Sequence, residues 1–192
     1  TSMNDGLLAA LTCPDPQQKC TQVLALRLAD GWINTPGITC ELGIPGRPAA
    51  PALVHPSQVP RRSLHTEAGR VALIHAVAHI EFNAINLACD AMQRFPKMPE
   101  QYYIDWASVA IDEARHFQLL QTRLNELGFQ YGDFKAHNGL WEMAEKTEHS
   151  CLARMALVPR LLEARGLDVT PGMIEKMKQL KDDASVAVLS VI

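Results

Sequence analysis

Residues 71–92 read VALIHAVAHIEFNAINLACDAM. Steps of three and four pick out Val71, Ile74, Ala78, Glu81, Ile85, Ala88 and Met92, all apolar except the central Glu81. That period marks one face of an α-helix rather than the alternation of a strand. The helix is expected from about Glu67 to Arg94, stopped by Phe95-Pro96. A matching stripe follows Pro99: Trp106, Ala110, Glu113, Phe117, Leu120, Leu124 and Leu127, with Gly128 as the stop. Its single polar member is again a glutamate. His116 stands three residues after Glu113, so both side chains can reach one point.

The two glutamates are level. Glu81 lies fifteen residues before Pro96 and Glu113 fourteen after Pro99. At about 1.5 Å per residue each sits roughly 20 Å from the turn, so an antiparallel hairpin sets them face to face. Two opposed buried carboxylates require a compensating charge. A divalent metal supplies it, and glutamate with histidine suits iron or manganese. A lone stripe glutamate is ordinarily a partly solvated side chain, and a lone Glu-x-x-His arises by chance. The conjunction of two level glutamates with one i+3 histidine carries the information.

Beyond this hairpin, Asp15 to Ala29 reads as a helix ended by Gly31. Six of the twelve prolines fall between Pro36 and Pro60, which reads as an extended segment wrapping a larger body on anchors such as Leu53, Val54 and Val59. Gln130 to Gly139 reads as a crossover, Leu140 to Arg165 as one helix closed by Gly166, and Met173 to Ile192 as a last helical stretch. Two parts are expected: residues 1–65 as N-terminal helix and proline-rich wrap, and residues 66–192 as a helical bundle.

The segments HAVAHIEFNAINLACDAMQRFP (75–96), DEARHF (112–117), LGFQYGDFKAHNGLWE (127–142) and LVPRLLEARGLDVTPG (157–172) resemble the ferritin-like superfamily of di-iron carboxylate proteins. More narrowly they resemble a bacterial ferritin-like family labelled a domain of unknown function. The resemblance implies an all-α, four-helix bundle in which two helices each give a glutamate and two each give Glu-x-x-His. It assigns Glu81, Glu113, His116 and Glu163 as metal ligands. His149, fourteen residues before Glu163, is a weaker candidate and suits an ordinary core role. The implied cofactor is a pair of irons, with manganese as the substitute. The implied activity is an oxygen-activating oxidoreductase or monooxygenase acting on a small molecule of unknown identity. No catalytic residue beyond the ligands is singled out. A non-enzymatic metal-binding or iron-handling protein, or a structural helical module, stands as the alternative.

The second Glu-x-x-His is missing from the pattern. Glu81 to Glu113 is 32 residues, and the same interval from Glu163 reaches 195, past Ile192. The last helix offers only Glu175-x-x-Lys178. The expectation is a fourth helix cut short, an incomplete or empty site, and an inactive chain in this form.

Composition closes off other classes. The 192 residues carry a net charge of −3, and the longest basic runs are pairs such as Arg61-Arg62. No nucleic-acid partner and no membrane partner are therefore expected. Five cysteines without a Cys-x-x-Cys pair read as reduced thiols of a cytoplasmic protein. The apolar run at 184–192 suggests a homodimer or larger homo-oligomer.

Overall fold

The computed structural model describes residues 3–27, 45–166 and 171–192. Among them the secondary structure is helical, without strands: α1 (Met3–Thr12), α2 (Pro16–Leu24), α3 (Glu67–Arg94), α4 (Glu100–Glu126), α5 (Gly139–Lys146), α6 (Cys151–Gly166), α7 (Pro171–Gln179) and α8 (Asp183–Leu189). The all-α expectation holds. The chain divides into two compact units, Thr1–Ala49 with Glu81–Arg115 and Ala50–Ile80 with His116–Ile192. Helices α3 and α4 each contribute to both.

In the first unit, α1 and α2 pack on each other. Asp15 caps α2 by accepting from the Gln18 amide at 2.7 Å, and Pro16 opens it. Helix α2 thus starts where expected, and its last residue is Leu24, with Leu26 buried in the segment that follows. The expected continuation from Leu28 to Ala29 lies outside the described residues, as do Pro36 and Cys40. Helix α1 was not foreseen. The α3–α4 hairpin is pinned at its turn, where Tyr102 donates to the Ala91 carbonyl at 2.9 Å and Tyr103 to that of Phe95 at 2.8 Å. Every residue from Glu81 to Gln93 is buried, so this half of α3 is covered on all sides, not only along its stripe. The same property makes α3 the one described helix long and apolar enough to cross a membrane, but 78% of its apolar window is buried inside the protein.

In the second unit, the turn after α4 uses Gly128 at φ 80°, with Phe129 N–H returning to Leu124 O at 2.9 Å. This is the glycine stop that the sequence indicates. The proline-rich segment pairs with the crossover: Val54 donates to Ala136 O at 2.8 Å and Ala136 donates to Ala52 O at 3.1 Å. Gly132, at φ 111°, brings the crossover backbone against Ala50, where a Cβ would sit 3.0 Å from the alanine methyl.

Two expected helices are each broken in two. Leu140 to Arg165 divides at Thr147–Ser150, where Arg154 reaches back from α6 to Ala144 O at 2.7 Å and Thr147 Oγ1 at 2.8 Å. The buried guanidinium satisfies the end of α5, replacing bonds a continuous helix would make. Met173 to Ile192 divides at Lys181, which takes φ 59°, and Asp182, which caps α8. Asp182 accepts from Arg123 at 3.1 Å and pairs with Arg70 at 3.3 Å. Bonds from Ser185 and the charge of Arg123 hold its carboxyl below the usual range, against the opposing effect of burial.

Candidate metal centre

Glu81, at the middle of α3, is 6% exposed. Glu113 and His116, one turn apart on α4, are half-buried. One ligand atom from each of the three lies within 4.8 Å of the others. The level hairpin therefore does what its spacing indicates: it brings both glutamates and the i+3 histidine to one place. The donor set, two carboxylates and an imidazole, consists of hard oxygen and borderline nitrogen ligands that fit iron or manganese better than a soft, thiolate-seeking metal.

The other candidates do not join this group. Glu163 lies in the last turn of α6, and its side chain is outside the described residues. His149 is exposed in the turn between α5 and α6. Glu142, Glu145 and Glu148 are exposed, as expected of a solvated face. Cys13, Cys20 and Cys89 are buried free thiols, and Cys151 is half-buried. Burial pushes both Cys20 and Cys89 up to about 12.

The histidines beside the helix α3 stripe make ordinary polar contacts. His79 bonds through Nδ1 to the Tyr131 hydroxyl at 2.8 Å and through Nε2 to His137 O at 2.9 Å. His75 Nε2 accepts from the Gly132 amide at 2.9 Å. Burial lowers the His75 pKa to about 4, partly opposed by Asp133, so the ring is neutral at neutral pH.

Sequence reasoning passed over Lys19. This side chain is wholly buried, and its Nζ donates to Ala10 O at 2.9 Å, Leu11 O at 3.0 Å and Asn86 Oδ1 at 2.7 Å. It also stands 5.5 Å from the centre of the Phe82 ring. Burial lowers its pKa to about 8, leaving it charged at neutral pH. Nothing in PDPQQKCTQVL distinguishes this lysine from a surface one; only the unforeseen α1, whose terminal carbonyls it caps, reveals its role.

Residues 12–192 match the family described as a protein of unknown function, DUF455. An uncharacterised protein of Haemophilus influenzae is 46% identical over 201 residues, an alignment covering 95% of this chain and 68% of the relative. This chain belongs to the DUF455 family. No solved structure matches it. The family match spans α2 to α8 and includes the Glu81–Glu113–His116 group.

Proposed function

We propose that this protein is a ferritin-like metal-carboxylate protein, with Glu81, Glu113 and His116 as ligands to iron or manganese, and that it serves as an oxygen-activating oxidoreductase. One observation carries the reading. Two carboxylates and an imidazole from paired helices converge within 4.8 Å, with Glu81 buried. Burying a carboxylate beside a second one is costly unless a cation shares the site. The ferritin-like architecture is supported by the long α3–α4 hairpin with its ligands level at mid-helix and by two further helical pairs, α5–α6 and α7–α8. Glu163 on α6 remains the proposed fourth ligand.

Bound iron would supply the redox chemistry with dioxygen. The protein's share is to fix the ligands. Glu81 is held on an all-round buried segment of α3, so its carboxylate is preset by packing. Glu113 and His116, one turn apart on a single helix, keep a fixed spacing.

Anaerobic titration with ferrous iron, followed by oxygen uptake, tests the proposal. Saturable binding is expected, weakened about tenfold or more in Glu113→Ala and His116→Ala. Iron binding with oxygen consumption supports the oxidoreductase, and iron binding without it supports an iron-handling role. Absence of binding in the folded wild type overturns the metal reading.

A further inference from the structure

The second unit contains a cavity of about 420 Å³ that is separate from the carboxylate group. Its walls are mostly apolar, including Leu73, Phe134 and Met173. This volume is in the range that holds a small organic ligand. Three polar features give it a chemical preference.

The first is His75, which lines the cavity and is 1% exposed. Its Nε2 accepts a hydrogen bond from the Gly132 amide, so Nε2 carries no proton. The neutral ring must then carry its proton on Nδ1. His75 lies in the wall of the cavity, so that N–H belongs to a ring the cavity borders. An imidazole N–H in a cavity wall is able to donate to an oxygen of whatever occupies the cavity. The second and third features are Arg62 and Lys135, which also line the cavity. The Arg62 guanidinium is propped 4.8 Å from the centre of the Phe134 ring, and neither cation is ion-paired among the described residues. Asp133 is the opposing charge in the lining, and its carboxylate already accepts the Gln130 amide at 2.8 Å.

We propose that this cavity is a binding site for a small apolar molecule bearing one carboxylate, with the chain against Leu73, Phe134 and Met173 and the carboxylate met by Arg62, Lys135 and the His75 N–H. The site uses only residues of one unit and does not depend on the metal reading.

Decanoate below its micellar concentration is the probe, titrated calorimetrically into chelator-treated protein, with decanol and decyltrimethylammonium as neutral and cationic controls. One decanoate per chain is expected, with decanol weaker by about fivefold and the cation weaker still. Ala76→Phe places a ring in the cavity from an exposed position on α3 and is expected to abolish binding while leaving the helical circular dichroism unchanged. The paired change Arg62→Gln and Lys135→Gln should bring decanoate down to the level of decanol. The His75 Nδ1 resonance should move on saturation in wild type. Glu113→Ala should bind decanoate as wild type does, which separates this site from the carboxylate group. No saturable binding, binding that Ala76→Phe leaves intact, or equal affinity for decanoate and decanol would each overturn the proposal.

Discussion

Lys19 and the Glu81–Glu113–His116 group are two solutions to placing charge inside one helical protein. Around Lys19 the protein itself meets the charge. Three oxygens at 2.7–3.0 Å match the three N–H donors of an ammonium, two of them carbonyls at the end of α1. Around Glu81 the protein gathers two carboxylates and an imidazole within 4.8 Å. Ionised carboxylates only accept, and the imidazole is equally able to offer a lone pair. The first cluster is built to be satisfied from within and serves the fold. The second, on the reading proposed above, receives a cation. A buried charge therefore points to function through the chemistry of its neighbours rather than through burial itself.

The largest expected effect breaks the first half of this comparison. Lys19→Met preserves much of the side chain's volume but strands the carbonyls of Ala10 and Leu11 and the Asn86 oxygen. Leaving buried acceptors without their donor costs about 1–3 kcal/mol each. Urea denaturation monitored by circular dichroism should show that loss as a lower midpoint. A change below about 1 kcal/mol would mean that the Lys19 bonds contribute little to the fold.

His75 adds a third case, in which a buried group avoids charge altogether. Its folded-state pKa of about 4 lies below the ordinary 6.5, so the unfolded chain binds more protons between these values. Stability from this group is complete above about pH 6.5 and is lost as pH falls toward 4, to an extent of up to about 3 kcal/mol. Urea midpoints taken from pH 7 to pH 4.5 should fall more steeply in wild type than in His75→Gln. Equal slopes would show that His75 titrates as a solvated histidine does.

These three cases also mark what the sequence discloses. The α3–α4 hairpin, its turn between Pro96 and Pro99, the Gly128 stop and the convergence of Glu81, Glu113 and His116 follow from period and spacing, which are local quantities. The all-round burial of 81–93 does not follow, because Asn83, Asn86 and Asp90 occupy positions that a single-stripe reading turns toward solvent. The tie between Lys19 and Asn86 spans 67 residues. The breaks at Thr147 and Lys181 carry neither glycine nor proline. They are stabilised by Arg154, Arg70 and Arg123, whose roles become visible only in the folded chain. The cavity likewise draws its walls from the segments around 59–64, 69–76, 133–135 and 173, and no one of these is distinctive.

The smallest expected effect tests the second half of the comparison, and its sign matters more than its size. Glu113→Gln keeps shape and removes one negative charge from a group containing two carboxylates. If the group is arranged for a cation, the metal-free protein carries like-charge repulsion that glutamine relieves, and stability should stay level or rise by about 1 kcal/mol. If the group is instead a closed structural network in which His116 is shared between the glutamates, the same change removes a partner and stability should fall. Chelator-treated samples, compared by thermal unfolding, distinguish these outcomes. Manganese then supplies the complementary measurement without the redox reactions of iron. A ligand that binds only the folded state raises the unfolding temperature in proportion to its occupancy. Wild type should gain stability with added manganese and Glu113→Gln should gain little. Lys19→Met, where it remains folded, should keep the manganese response, because its defect lies in the cluster that satisfies itself. A variant that gains stability without metal and loses the response to metal places the cost of the carboxylate pair in the empty site and its purpose in the filled one.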